Sequence, residues 1–107
     1  MSDERRNDPR WPVTVSARLT LQDGRYFDGS ILNVNLGGCF VEGAFGLKEG
    51  DVVLLHNNFN PRLAGIYAQV KWVVDEQGLR GVGLLFQPMD DSQKFELIQW
   101  FNRVVGR

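Results

Sequence analysis

The sequence predicts an all-β, or mainly β, fold: a small six-stranded antiparallel β-barrel with one C-terminal α-helix and a flexible N-terminal segment that carries arginines. Three observations predict this fold. Apolar and polar residues alternate in several short stretches, turn sequences such as Asp-Gly separate these stretches, and a helical period begins only after Pro88. Short strands joined by tight turns favour a small closed barrel, with the helix covering an end or a side. At 107 residues, the chain is expected to form a single domain.

The first half of the chain supplies four of the predicted strands. In residues 13–21 every second residue is apolar, which indicates a half-buried strand; these positions are Val13, Val15, Ala17, Leu19 and Leu21. The Asp-Gly pair within residues 22–25 predicts a hairpin turn into a second strand at 26–34. A brief third strand is expected at 39–43, and a turn at 47–51 leads to a short fourth strand at 52–55.

A polar loop and a second hairpin follow. Residues 57–62 contain three Asn and one Pro, which predicts a loop. The fifth strand then has one apolar side, formed by Ile66, Ala68, Val70, Trp72 and Val74. Residues 75–78 predict the hairpin turn, and residues 79–86 predict the sixth strand. Gly81 and Gly83 lie inside that strand, a placement common where a barrel strand bends or where another group approaches the backbone.

The last element is a predicted helix over about residues 90–104. Asp90 followed by Gln93 fits a capping box in which Asp90 is the N-cap. Leu97, Phe101 and Val104 then recur at helical spacing, which indicates one apolar helix face.

Charge and composition restrict the class of function. The formal net charge of −1 argues against a general polyanion binder, which normally has a basic excess. Within residues 1–10 the side-chain charges cancel, because three acids accompany three arginines, Arg5, Arg6 and Arg10. No apolar run is long enough for a membrane helix or a cleavable signal peptide, so a cytoplasmic protein without membrane insertion is expected.

Residues that carry catalysis or bind metals are sparse. Cys39 is the only cysteine, which excludes an intramolecular disulfide and indicates a reducing compartment. His56 is the only histidine, and no partner stands at ligand spacing, so no metal site is predicted. A Cys39–His56 nucleophilic pair has no flanking motif to support it, and a buried structural cysteine is favoured. Asp90 and Asp91 are explained by helix capping. We therefore predict no catalytic residues, no enzyme activity, no metal and no cofactor.

The stretch NVNLGG, residues 33–38, is a candidate binding turn. Asn33 and Asn35 alternate, so both are expected on the same face of the strand end. Gly37 and Gly38 permit positive φ and a close approach to backbone N–H groups. Such a turn either forms a small anion-binding nest or simply joins two strands.

A second candidate is the spacing Arg6-x-x-x-Arg10. The arginine guanidinium is a planar fork that binds phosphate or the O6/N7 edge of guanine bidentately, and its flat face stacks on bases. Two arginines four residues apart suit a compact nucleotide that has both phosphates and purine faces. The alternative is that these arginines are simply solvated.

Taken together, ERRNDPRWPVTVSARL, ILNVNLGGCFVEG and VKWVVDEQGLRGVGLLF resemble the PilZ domain family, over about residues 4–104. The family pattern is RxxxR followed by (D/N)xSxxG on a six-stranded barrel with a terminal helix. Arg6 and Arg10 match the first motif, with Arg5 as the frequent extra arginine. Asn33, Asn35 and Gly38 match the second motif, although position 35 is Asn where the pattern has Ser.

The resemblance implies a cyclic di-GMP receptor. In such domains the arginines contact phosphates and stack on guanines, and the second motif holds another guanine edge. Trp72 aligns with a tryptophan that lies at the ligand in some members, and the alternative for Trp72 is the core. Residues 1–11 would form a flexible ligand-binding segment, and residues 12–107 the barrel with its helix. A ligand would then order the segment.

Three hypotheses remain at this point. The first is a monomeric receptor that relays cyclic di-GMP to an unidentified effector protein, because no output domain is visible in the sequence. The second is a PilZ-like adaptor that does not bind nucleotide and acts through protein contacts, for example in type IV pilus function. The third, single-stranded nucleic-acid binding through exposed aromatics, is disfavoured by the acidic net charge, so no nucleic-acid partner is expected.

Overall fold

In the computed structural model of the chain, residues 11–43, 45–57 and 65–104 are described. They form six strands and one helix: β1 Trp11–Thr20, β2 Tyr26–Asn35, β3 Gly38–Glu42, β4 Val52–Asn57, β5 Ile66–Glu76, β6 Leu79–Phe86 and α1 Asp91–Val104. Arg5, Arg6 and Arg10 lie outside the described residues. Within the described part of the chain, no helix is long and apolar enough to span a membrane.

The strands close into an antiparallel barrel in the order β1-β2-β3-β6-β5-β4. Hairpins join β1 to β2, β2 to β3 and β5 to β6. The ring is completed by two pairings between strands distant in sequence, β3 with β6 and β1 with β4. The fold class predicted from the sequence is therefore confirmed.

The barrel interior holds a single apolar cluster in which side chains from all six strands meet. Its most buried members include Leu19, Ile31, Val34, Val41 and Ala68, each 0% exposed. The helix contributes Leu97 and Trp100 to the same cluster. Burial of this apolar surface is the main force that holds the strands and the helix together.

The helix begins where the capping box predicts. The backbone N–H of Gln93 donates to Asp90 Oδ1 at 2.8 Å, and the backbone N–H of Asp90 donates to Gln93 Oε1 at 3.3 Å. These two bonds satisfy donors that the first helical turn leaves without partners. Asp90 is therefore the N-cap, as expected.

Several strand ends differ from the sequence prediction. Strand β1 begins at Trp11 rather than residue 13, and β4 continues to Asn57 rather than residue 55. Strand β5 continues to Glu76, so the turn to β6 narrows to Gln77 and Gly78, with Gly78 at φ 87°. Tight two-residue hairpin turns need positive φ, which Gly adopts without strain.

One predicted apolar row is wrong in its second half. Ile66, Ala68 and Val70 are buried, but a register irregularity follows Val70, and Trp72 is 37% exposed. A β-bulge adds one residue to a strand, so every later side chain moves to the opposite face. Trp72 and Val74 therefore do not continue the inward row, and the core interpretation of Trp72 is overturned.

Candidate functional site

Three β-bulges border one cross-strand row on the barrel surface. Irregularities lie between Pro12 and Val15 in β1, between Ile31 and Asn33 in β2, and between Val70 and Trp72 in β5. β-Bulges are frequent beside functional sites because they turn side chains to a new direction. Each bulge changes the face that the following side chains of its strand occupy.

The row itself follows from the strand register. Asn33 on β2 pairs with Phe40 on β3, Phe40 pairs with Gly83 on β6, and Gly83 pairs with Trp72 on β5. Directly paired residues of antiparallel strands project to the same face. Asn33 and Trp72 thus share one surface and stand three strand spacings apart, roughly 14 Å.

This shared face is the outside of the barrel. The adjacent row consists of buried residues in register, Val34, Cys39, Leu84 and Val70, and all four belong to the core cluster. Successive residues of a strand face opposite sides, so the row of Asn33 and Trp72 faces outward. We call it the outer row, defined by Asn33, Phe40, Gly83 and Trp72.

Trp72 packs on the glycine of its partner strand. A Cβ built on Gly83 would lie 2.1 Å from Cε2 and 2.3 Å from Cζ2 of Trp72, so no larger residue fits without moving the indole. A Cβ on Gly81 would lie 2.7 Å from Cζ of Phe40. Of the two explanations for glycines within β6, close approach of another group is therefore the observed one.

Asn35 organises the turn between β2 and β3. Its side-chain oxygen Oδ1 accepts hydrogen bonds from the backbone N–H groups of Gly37 and Gly38, both at 2.8 Å. Asn and Asp commonly close such turns by bonding to the backbone two residues ahead. Asn at position 35 therefore fits the turn, and its carbonyl oxygen takes the place of an external acceptor.

This geometry corrects the interpretation of the two glycines. Neither Gly37 nor Gly38 has positive φ. The backbone N–H groups that an anion-binding nest would use donate hydrogen bonds to Asn35 instead. Gly38 is needed for another reason, since a Cβ there would lie 2.0 Å from the carbonyl oxygen of Leu84. Its role is to let β6 approach β3.

A separate polar cluster lies toward the ends of β1 and β2 that are far from the Asn35 turn. Arg18 donates to both carboxylate oxygens of Asp28, at 2.7 and 3.2 Å, and its guanidinium carbon lies 4.0 Å from the ring centroid of Tyr26. The hydrogen bond from Arg18 lowers the pKa of Asp28 and, by the same contact, raises that of Arg18. All three residues are exposed, so the cluster is a solvated surface feature.

Residues considered for metal binding or nucleophilic catalysis do not assemble in the described structure. No group of three or more His, Cys, Asp or Glu among residues 11–43, 45–57 and 65–104 could hold a metal ion. The Cys39 side chain is fully buried in the core, as predicted for a structural cysteine. His56 pairs across the sheet with Arg18 on the outer surface, opposite in direction to Cys39.

Sequence reasoning missed two members of the outer row. Phe40 is 7% exposed and does not belong to the core cluster. Gly83 was predicted only as a glycine inside its strand, without the group that approaches it. The alternation of Gly81 and Gly83 was the available signal, because two glycines on one strand face leave room for rings on that face.

The barrel resembles several solved structures in fold. It matches the PilZ domain of YcgR from Escherichia coli with c-di-GMP at a TM-score of 0.73 and 14% identity, covering 94% of this chain and 91% of that one. It matches the K. pneumonia MrkH–c-di-GMP complex at a TM-score of 0.73 and 14% identity, covering 95% of this chain and 53% of that one. The Bacillus subtilis inhibitor of motility MotI matches at a TM-score of 0.66 and 18% identity, covering 96% of this chain and 52% of that one. This chain thus spans about half the length of the MrkH and MotI chains.

At these identities the solved structures establish the fold alone. No curated protein sequence matches the chain significantly. The family assignment comes from a family model, the PilZ domain, which matches residues 4–103 and therefore covers nearly the whole sequence. It spans the arginine segment, the Asn35 turn and the six-stranded barrel with its helix. The chain belongs to the PilZ domain family.

Proposed function

We propose that this protein is a non-catalytic receptor for cyclic di-GMP that relays the signal to a partner protein. The observation that carries the proposal is the outer row, in which half-buried Asn33 and exposed Trp72 face the same side of the barrel beside the Asn35 turn. Members of the same fold, YcgR and MrkH, were solved with c-di-GMP. The ligand-binding residues that we propose are Arg5, Arg6, Arg10, Asn33, Asn35, Gly38 and Trp72.

The start of β1 supports a joint site. Trp11 pairs with Val34, and Pro12 pairs with Asn33, so β1 begins beside the second motif. Arg10 is bonded directly to Trp11, and consecutive Cα atoms are about 3.8 Å apart. The covalent chain therefore attaches the RxxxR segment next to Asn33 and Asn35.

The residue types suit the two chemistries of a cyclic dinucleotide. The arginine forks bind phosphate oxygens and the O6/N7 edge of guanine. The amide of Asn33 both donates and accepts hydrogen bonds, as the edge of guanine requires. Trp72 offers an aromatic face on which a purine stacks. Asn35 and Gly38 act by shaping the turn that carries these groups.

Binding would order the residues that precede β1 over the barrel, since Trp11 is already paired with Val34. Fixing a residue costs about 1–2 kcal/mol of conformational entropy. Each hydrogen bond to a charged group contributes about 1.5–3 kcal/mol, so several arginine contacts offset the ordering of a short segment only when the ligand is present. A ligand-dependent order transition is the signal that an effector protein would read. We place this event in the cytoplasm, with the barrel acting as a monomer.

The test is calorimetric titration of the purified protein with cyclic di-GMP, with GTP as the control ligand. We expect micromolar or tighter binding that is lost in Arg6→Ala and in Arg10→Ala. Arg25→Ala is the matched control, because Arg25 lies in the β1–β2 turn and is paired with Asp23, 2.8 Å away. Full affinity in both motif variants would contradict the proposed site.

The alternative is a PilZ-like adaptor that acts through protein contacts without nucleotide. One observation favours it: Asn35 satisfies the N–H groups of Gly37 and Gly38 within the turn. The same titration separates the two functions, since an adaptor of this kind gives no heat with cyclic di-GMP. Asn35→Ser, which restores the residue of the family pattern, would then be expected to bind more tightly than the unmodified protein.

A further inference from the structure

The indole of Trp72 lies with one face on the backbone of β6. A Cβ built on Gly83 would be 2.1 Å from Cε2, 2.3 Å from Cζ2 and 2.6 Å from Cδ2 of Trp72. Cδ2 and Cε2 form the bond shared by the two rings, so the added carbon would lie over the middle of the indole rather than at its edge. The ring therefore covers Gly83 with its face.

The same indole is also accessible to solvent. Trp72 retains 37% exposure although one side is covered, and its neighbours in the strand, Lys71 and Val73, are also exposed. A partly exposed ring that is supported on one face is a flat platform. Its orientation is fixed by contact with β6, which limits rotation of the side chain.

The platform depends on the absence of a side chain at position 83. Any Cβ would push the indole outward, because the contact distances of 2.1–2.6 Å are far shorter than a van der Waals contact. The displaced ring would tilt away from the sheet and lose its fixed orientation. Position 83 therefore controls where Trp72 stands without itself reaching the surface, since Gly83 is buried.

We propose that Gly83 is a positioning residue, which holds Trp72 flat on the outer surface so that the exposed part of the indole stacks on a purine base. The inference rests on the proposed function, because the purine is that of cyclic di-GMP. It adds a residue outside both sequence motifs, on a strand that neither motif reaches. It also gives a reason for the bulge after Val70, which turns Trp72 onto Gly83.

The experiment compares Gly83→Ala with Gly46→Ala. Gly46 is the matched control, because a Cβ there meets no atom within 4 Å and its φ is not positive. Cyclic di-GMP affinity is measured by calorimetry, and the indole N–H signals of the tryptophans by ¹H–¹⁵N NMR, with the Trp72 signal assigned from Trp72→Ala. We expect Gly83→Ala to weaken binding about tenfold or more and to move the Trp72 signal. Gly46→Ala should change neither.

A double variant separates positioning from a general structural effect. If Gly83 acts through Trp72, adding Gly83→Ala to Trp72→Ala should cause no further loss of affinity. An equal loss in both backgrounds would overturn the inference, as would unchanged affinity in Gly83→Ala alone. If the unmodified protein does not bind cyclic di-GMP, the proposed function fails; the Trp72 signal then decides separately whether Gly83 supports the indole, and an unmoved signal overturns that support.

Discussion

At the scale of single residues, the turn between β2 and β3 depends on two residues that act in different ways. Asn35 accepts hydrogen bonds from two backbone N–H groups, and Gly38 has no Cβ, which leaves room for β6 to pass. The family pattern has Ser at position 35, and the longer Asn reaches both N–H groups at 2.8 Å. The substitution is therefore accommodated by the fold of the turn.

Gly38→Ala should destabilise the barrel. The new Cβ would lie 2.0 Å from the carbonyl oxygen of Leu84, so β3 and β6 must separate. Forcing an added methyl group into a closely packed site costs about 1–3 kcal/mol. Urea unfolding followed by tryptophan fluorescence measures this loss.

Gly37→Ala is the control for that prediction. It changes the adjacent residue of the same turn, where a Cβ would lie 3.5 Å from Asn35 Oδ1, an ordinary contact. We expect its free energy of unfolding to stay close to that of the unmodified protein. Equal destabilisation by the two substitutions would show that the approach of Leu84 is not the reason for glycine at position 38.

At the scale of elements, the sequence predicts the strands and the helix well because each has its own local signal. The capping box at Asp90, the turn glycine Gly78 and the alternation in β1 all appear where expected. Bulges have no such signal. In β5 the residues Trp72, Val73 and Val74 are all apolar, so the sequence pattern fits either face of the strand. The change of face after Val70 could therefore not be predicted from the sequence.

The residues of the candidate site likewise divide into those with a local sequence signal and those without one. Asn33, Asn35 and Gly38 could be proposed from their spacing, because the turn is local in sequence. Phe40 and Gly83 were missed because they join the outer row only through pairing of β3 with β6, a contact between distant parts of the chain. Which face Trp72 occupies depended on a bulge, and alternation alone favoured the wrong one.

Removing the helix cap should weaken the attachment of α1. Asp90→Ala deletes the acceptor for the N–H of Gln93, a bond of 2.8 Å, and such losses cost about 0.5–2 kcal/mol. Asp90→Ser keeps an acceptor at the cap and should retain most of the stability. Thermal unfolding followed by circular dichroism at the helix band compares the two variants. Equal melting temperatures for both would contradict the capping role.

At the scale of the whole molecule, strand pairing brings together surface charges that make stability depend on pH. Asp28 on β2 lies against Arg18 on β1, and the hydrogen bond from Arg18 lowers its pKa. A carboxyl whose pKa is lower in the folded state stabilises that state at pH values above its unfolded pKa, about 3.9 for Asp. The contribution is lost as pH falls through the folded pKa.

Asp28→Asn should therefore reduce the acid sensitivity of the protein. At pH 7 we expect a slightly lower urea midpoint than in the unmodified protein, with a small difference because the Asp28 carboxylate is 63% exposed. The difference should shrink as pH falls below about 4, where the carboxylate becomes protonated. Glu49→Gln is the control, since Glu49 is exposed and lies outside the Arg18–Asp28 contact. A difference that stays constant with pH would contradict the role of the Arg18 contact.

The outer row has a consequence for the newly made chain, because it crosses from one half of the polypeptide to the other. Asn33 and Phe40 belong to the β2–β3 hairpin, whereas Gly83 and Trp72 belong to the β5–β6 hairpin. During synthesis the first hairpin leaves the ribosome well before the second, and domains fold as their sequence emerges. A nascent chain that lacks β6 has only half of the surface. On the proposed function, cyclic di-GMP would thus be bound only by a finished barrel, and its binding would shift the folding equilibrium toward completed molecules.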